Sequence, residues 1–275
     1  MLLFINGSWV SENEAVIPFQ DGGFLYGDSL FESIRVAAGR SFRIHKNLER
    51  LRQGLNVIRL ELPWSSKELI EICNTFIAKN NLQDGLLRLI VTRGTITGSP
   101  WNFSGAPNVY LTGRSLPPLP ELPVKLEFVQ EKDYPIARFF PAIKSGNYLG
   151  NMLAKRDAEQ NGSFEPIFVN RDGLITEGAL RNIFFVRDGI LLTPGLALGV
   201  LPGIMRDTVL EIAFSEGIRI QEEAISSSAL STFSEAFISS TGIGILPAVW
   251  DGFRSTHKLT YHLRDLLEAR LKTGK

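Results

Sequence analysis

The sequence predicts an α+β protein in two domains, and three observations carry that expectation. Strand-like and helix-like patterns mix along the 275 residues without the regular alternation of a doubly wound sheet. A proline-rich stretch, "SLPPLPELP", interrupts the chain before its middle. Its prolines favour extended backbone and end any regular element, so residues 1–118 and 119–275 are expected to form separate domains. Hydrophobic residues at 44% and charged residues at 21% suit a soluble globular core.

The elements follow in order. "LLFINGSWV" reads as two strands joined at Asn6-Gly7, a strong short hairpin signal. "SLFESIRVAAGRSFRI" continues as strand, turn and strand. Leu48, Leu51, Leu55 and Ile58 recur at helical spacing, and Ser65-x-x-Glu68 is a capping box for a second helix with Leu69, Ile70, Cys73, Phe76 and Ile77 inward. "GLLRLIVTRG" and "PNVYLTG" are further strands. Beyond the linker come "VKLEFVQE" and a helix whose Leu149, Met152 and Leu153 share a face, stopped by Gly162. A meander follows: "PIFVN", "LITEGALRNIFFV" and "ILLTP", separated by two Arg-Asp-Gly turns. The next helix carries Met205, Val209, Ile212 and Ala213 on one face. "EAFISSTGIGILPAVW" is a strand interrupted by small residues, and a helix through Leu263, Leu266 and Leu267 closes the chain.

Composition narrows the function. The formal net charge is zero, which argues against nucleic acid and against a polybasic membrane contact. The opening residues lack the basic region and apolar stretch of a signal peptide, and no apolar run approaches a membrane span. Cys73 is the only cysteine, so an intrachain disulfide is impossible and a cytoplasmic location is expected. With three scattered histidines, a structural zinc site is not expected, and no metal is assigned.

Four features invite a joint reading, each with a plain alternative. Lys144 precedes a helix, where the positive end of the macrodipole disfavours a cation; it is either a loop lysine facing solvent or a nucleophilic amine. Glu177 sits in an otherwise apolar strand, facing either solvent or a cationic or hydrogen-bonding partner. "LPGIMRD" and "SSTGIG" are ordinary turns or anion cups, the first at a helix N-terminus. Arg50 is an exposed helix arginine or a phosphate partner. Together, an amine, an acid, two cups and an arginine are the parts that pyridoxal phosphate requires.

The chain resembles the fold-type IV pyridoxal-phosphate enzymes: branched-chain aminotransferases, D-amino-acid aminotransferases and aminodeoxychorismate lyases. The segments that carry the resemblance run in order: "YGDSLFESIRV", "HKNLERL", "VTRGT", "KSGNYLGNMLAKRDA", "EPIFVNRDGLITEGALRNIFFV", "LPGIMRDTVLEIA" and "STGIGILPAV". The resemblance implies a C-terminal pseudo-barrel domain, pyridoxal 5′-phosphate as cofactor, and a homodimer. It implies that Lys144 is the Schiff-base lysine and proton carrier, and that Glu177 pairs with the pyridine nitrogen. It further implies that Arg50, Gly203, Ile204, Met205, Ser240 and Thr241 hold the phosphate. Tyr148 matches a tyrosine that reaches the phenolic oxygen in branched-chain enzymes, although its spacing from the lysine is that of the D-amino-acid enzymes.

Tyr26, Phe31 and Arg35 match the branched-chain substrate pocket. The arginine and histidine that bind the carboxylate in D-amino-acid enzymes fall here on Gly98 and Pro100, which disfavours that activity. Arg138 and Arg181 are candidates for replacing them. The expected function is transfer of an amino group between an amino acid, best an L-branched-chain one, and a 2-oxo acid. The alternative is aminodeoxychorismate lyase activity, releasing pyruvate and 4-aminobenzoate.

Overall fold

A computed structural model describes residues 1–101 and 105–273, which divide into two compact units. The first comprises Met1–Pro117 together with Ile143–Asn147. The second comprises Pro118–Ala142 and Tyr148–Thr273.

In the first unit, β1 (Leu2–Ile5) and β2 (Ser8–Ser11) form the Asn6-Gly7 hairpin, with both turn residues at positive φ. A one-turn helix absent from the sequence reading, α1 (Gly22–Tyr26), comes next. The buried Asp21 carboxylate caps it, accepting the Gly23 and Phe24 N–H groups at 2.7 and 3.2 Å. Its other oxygen accepts Thr92 Oγ1 at 2.6 Å and Asn108 Nδ2 at 2.7 Å, which ties the turn to the sheet. β3 (Ser29–Ala37) and β4 (Arg40–Ser41) form the next hairpin, and the expected second strand stops early because α2 (Ile44–Val57) begins. α3 (Ser66–Lys79) starts at the expected capping box, with Ser65 and Glu68 satisfying each other's backbone N–H. β5 (Gly85–Thr92) and β6 (Asn108–Ser115) complete an antiparallel sheet in the order β2-β1-β6-β5-β3-β4. Alternation puts Leu30, Ile34, Val36, Leu87, Leu89 and Val91 on one face, where they pack against Leu48, Leu51, Leu55, Leu69, Cys73 and Phe76.

The second unit begins with β7 (Val124–Gln130). α4 (Leu149–Gln160) corrects the expected packing face. Leu149 and Met152 are exposed, and the buried stripe is Gly150, Ala154 and Ala158. Small residues win here because the helix comes very close to its neighbours: a Cβ on Gly150 would stand 2.5 Å from the Pro135 carbonyl oxygen. β8 (Glu165–Val169) follows, and the single strand expected over "LITEGALRNIFFV" is two, β9 (Leu174–Gly178) and β10 (Asn182–Arg187). The break is a tight turn in which Gly178 N–H donates to the Arg181 carbonyl at 2.7 Å. β11 (Ile190–Pro194), α5 (Ile204–Ser215), β12 (Ile220–Glu223), β13 (Ile225–Ser226), β14 (Glu235–Ser240), β15 (Gly244–Val249) and α6 (Lys258–Thr273) complete the unit. The sheet order is β12-β11-β10-β14-β15-β7-β8-β9-β13. Its two outermost strands, β12 and β13, are joined by Ala224 alone, so the nine strands must curl back on themselves. That closure is the barrel-like sheet of an α+β fold. The interior is apolar, built from Ile167, Ile183, Phe185, Ile238 and Leu246 among others.

The division of the chain into compact units departs from a single cut near residue 118 at one stretch. Ile143–Asn147 falls in the first unit because this stretch lies along the edge of β3. Ser145 bridges Leu30, Gly146 N–H donates to the Ser29 carbonyl at 2.8 Å, and Ile143 packs on the apolar face of the first unit.

Candidate active site

Lys144 takes its position from that edge. Phe31 N–H donates to its carbonyl at 2.9 Å, and its ammonium lies 4.6 Å from the centroid of the Phe31 ring. The backbone anchor fixes the base of a long side chain, and the aromatic face attracts its charge. Alternation along β3 places Phe31 and Arg35 on the face opposite Leu30 and Ile34. Burial pulls the Arg35 guanidinium below its ordinary value, with Asp84 opposing. Tyr26 ends α1 and is exposed.

One further cation belongs to this face. Arg88, in β5, lies with its guanidinium carbon 3.9 Å from the Phe31 centroid. In register Ser33 faces Arg88 and Phe31 faces Ile90, so Arg88 and Phe31 are diagonal neighbours. The sequence reading missed it. A signal existed: Leu86, Arg88 and Ile90 share one side of the strand, and an arginine between two apolar residues there asks for a reason.

Arg50 is not the exposed arginine of the plain alternative. It is buried, and its Nε and Nη2 donate to the two Glu32 oxygens at 2.8 and 2.6 Å, while Asn47 Nδ2 donates to Glu32 at 2.7 Å. Glu32 is itself buried, so the pair is a two-armed, desolvated contact that fixes the guanidinium in one plane.

In the second unit, Glu177 faces partners instead of solvent. Arg138 Nη1 donates to its Oε1, and the Leu201 N–H and Asn182 Nδ2 donate to its Oε2 at 3.1 and 3.4 Å. At α5 the first-turn N–H groups have no intrahelical acceptor, and the N-cap, Gly203, supplies no side-chain cap. A Cβ on Gly203 would stand 2.1 Å from Asn182 Oδ1, so only glycine fits this close approach. Ile204 and Met205 open the helix, and both are buried. Ser240 ends β14 and Thr241 begins the turn to β15; the adjacent Ser239 hydroxyl is buried with no hydrogen-bond partner. Tyr148 is the N-cap of α4 and uses its carbonyl to accept Met152 N–H at 2.9 Å.

Two arginines considered for a substrate carboxylate are engaged elsewhere. Arg138 also donates from Nε to Glu131 at 2.8 Å and from Nη2 to Thr176 Oγ1 at 3.0 Å. Burial pulls its pKa down, but Glu177 and Glu131 outweigh that and leave it raised. Arg181 pairs with the fully buried Glu165, which also accepts Leu180 N–H at 2.7 Å. Burial pushes the Glu165 carboxyl up against the pull of Arg181. The pair clamps the turn between β9 and β10.

These donors fit a phosphorylated pyridine aldehyde. An uncapped helix N-terminus behind a glycine suits a phosphate dianion, and a carboxylate held by an arginine suits a protonated ring nitrogen. Residues 29–249 match the family described as amino-transferase class IV. The chain is 34% identical over 249 residues to a putative branched-chain-amino-acid aminotransferase of Methanocaldococcus jannaschii, covering 90% of this chain and 86% of the relative. It is 31% identical over 260 residues to a D-alanine aminotransferase of Staphylococcus epidermidis, covering 89% and 87%. The chain belongs to the class IV aminotransferases. Among solved structures, the branched-chain amino acid aminotransferase of Escherichia coli superposes with a TM-score of 0.91 at 26% identity, covering 100% of this chain and 95% of that one. As a class IV aminotransferase this is a pyridoxal-phosphate enzyme acting on an amino acid and a 2-oxo acid. Among the described residues, no group of three or more His, Cys, Asp or Glu is placed to hold a metal, and no helix is long and apolar enough to cross a membrane.

Proposed function

We infer that this class IV aminotransferase prefers L-branched-chain amino acids as donors. The observation that carries the reading is the setting of Lys144, an amine anchored through its backbone beside the buried Phe31 ring. An apolar aromatic wall next to the reacting amine suits an aliphatic side chain. Gly98 and Pro100 offer no cation for a carboxylate in the manner of the D-amino-acid enzymes, and Arg138 and Arg181 are already paired within their own unit. The branched-chain naming of the archaeal relative supports the same choice.

The residue roles follow from chemistry. When bound, pyridoxal phosphate supplies a carbonyl carbon for the amino group and a ring that accepts electrons. Lys144 Nζ is the amine that would hold that carbon, and it would carry a proton to and from the substrate Cα. Glu177 presents an anion to the ring nitrogen. Gly203, Ile204 and Met205 offer backbone N–H groups to the phosphate, with Ser240, Thr241 and Arg50 as further donors. We assign Tyr148 as a donor to the phenolic oxygen, and Tyr26, Phe31 and Arg35 to the substrate side. We assign the protein to the cytoplasm and to a homodimer. The exposed Val16, Ile17, Phe19 and Phe24, in which Phe19 and Phe24 rings lie 5.9 Å apart, support a partner surface.

The deciding experiment compares amino donors in single turnovers, following loss of the enzyme's visible absorbance with L-leucine, L-valine and D-alanine. The L-donors are expected to be faster. Faster conversion by D-alanine overturns the assignment.

A further inference from the structure

The contact between Arg138 and Glu177 reaches across 39 residues of chain, and nothing in the reaction as described above requires it. Arg138 lies in the irregular stretch between β7 and α4 and grips two carboxylates at once. Its Nε edge donates to Glu131 at 2.8 Å, and Nη1 donates to Glu177 Oε1. Nη2 reaches Thr176 Oγ1 at 3.0 Å, one residue before Glu177 on β9, so the arginine holds both the strand and the carboxylate that projects from it. The Phe168 ring, its centroid 5.9 Å from the guanidinium carbon, backs the group. Both members of the pair are largely withdrawn from water, at 17% and 14% exposure, so their attraction is weakly screened. The grip is planar and two-sided, a geometry that lysine cannot reproduce.

We propose that Arg138 is the positioning residue for Glu177: it fixes the carboxylate's orientation and secures its negative charge, so that the cofactor's ring nitrogen meets an anion at every working pH. The proposal rests on the reading of Glu177 as the ring-nitrogen partner. Its physical content is simple. A partly buried carboxylate without a cation takes up a proton more readily, and a protonated Glu177 no longer attracts a protonated ring nitrogen. Glu131 completes the device by taking the other edge of the guanidinium, which leaves Nη1 directed at Glu177. Lys144 lies six residues further on, so one short segment, Arg138 to Lys144, carries both the group that sets the acid and the amine that does the chemistry.

The test measures the dissociation constant of pyridoxal phosphate from the full-length protein across pH, in the wild type and in Arg138→Gln, Arg138→Lys and Glu177→Gln variants. Wild-type affinity is expected to stay level from neutral to mildly acidic pH. Arg138→Gln is expected to bind more than about tenfold more weakly on the acid side, its affinity falling as the pH drops and Glu177 protonates. Glu177→Gln is expected to be weak at all pH values, with no such slope. Arg138→Lys keeps the charge, so it should keep the level profile at a severalfold weaker affinity. An altered Glu177→Gln beside an Arg138→Gln indistinguishable from wild type overturns the positioning role and leaves the Glu177 reading standing. Wild-type behaviour in both overturns the Glu177 reading and the proposal with it. If Arg138→Gln does not fold, Arg138→Lys decides, since an ammonium cannot hold Glu131 and Glu177 together; wild-type affinity there overturns the proposal. A purely structural role would lower the melting temperature and leave the pH profile unmoved.

Discussion

The Lys144 ammonium lies 4.6 Å from the Phe31 ring centroid, while the N–H of the same phenylalanine donates to the carbonyl of the same lysine. One residue therefore holds both ends of the other. Because the backbone half of this contact does not depend on the side chain, Lys144→Ala should fold normally. Its turnover should drop by at least about 10²–10⁴-fold, since the group proposed to move the proton is gone. The check is a melting curve beside a rate assay. A folded variant with near-normal turnover would show that another base serves.

Arg88 shares the Phe31 ring with Lys144, which makes it the cation we expect to meet a substrate carboxylate. Removing one partner of such a charge-assisted pair costs about 2–5 kcal/mol. Arg88→Gln should therefore lower kcat/KM by well over tenfold. Measuring L-leucine and L-glutamate separately locates the contact: loss for both places it at the α-carboxylate, and loss for glutamate alone places it at the side chain. No change for either removes Arg88 from the site.

These two residues also show what the amino-acid sequence makes legible. Local signals survive folding well. The Ser65–Glu68 capping box opens α3, and Asn6-Gly7 turns the first hairpin, because a few adjacent residues satisfy their own hydrogen bonds. Signals that depend on distant partners do not. Arg50 reads as an exposed helix arginine until Glu32, on a strand 18 residues earlier, is seen to take it. Glu177 reads as either solvated or paired until Arg138 arrives from 39 residues away. The α4 face was misread for a third reason. Hydrophobicity favours Leu149 and Met152, but close approach favours Gly150 and Ala154, and within the unit close approach decides.

His257 gives a pH dependence of stability. It is 2% exposed, both ring nitrogens are buried without hydrogen-bond partners, and burial lowers its pKa despite the opposing pull of Glu235. The folded chain thus refuses a proton that the unfolded chain accepts. Above about pH 6.5 both states are neutral and nothing changes. As the pH falls below that value, the unfolded state gains the proton first and stability declines, by at most ~1.4 kcal/mol per pH unit from this group. His257→Asn, a residue that tolerates the positive φ found here, should reduce that acid slope in urea unfolding measured from neutral to mildly acidic pH. An unchanged slope would place the loss of stability on other groups.

The last prediction separates transamination from the lyase alternative. In the proposed roles both would use Lys144 to move a proton at the substrate Cα, so no catalytic residue distinguishes them. They diverge in what leaves. A transaminase must pass the amino group on to a 2-oxo acid, whereas the lyase expels pyruvate from its ring substrate, leaves 4-aminobenzoate and needs no acceptor. The substrate side assigned here carries Tyr26, Phe31 and Arg35, with Arg88 lying against Phe31. Aromatic walls with a cation at the edge suit an aliphatic side chain in one half-reaction and an acidic 2-oxo acid in the other, and both must bind in turn for transamination. Incubation with L-leucine and 2-oxoglutarate is therefore expected to yield glutamate. Incubation with aminodeoxychorismate alone is expected to release little pyruvate. Rapid pyruvate and 4-aminobenzoate release, with no glutamate in the parallel reaction, would transfer the protein to the lyase branch of its family. The roles proposed for Lys144, Glu177 and Arg138 would then stand unchanged, because they precede the step at which the two reactions part.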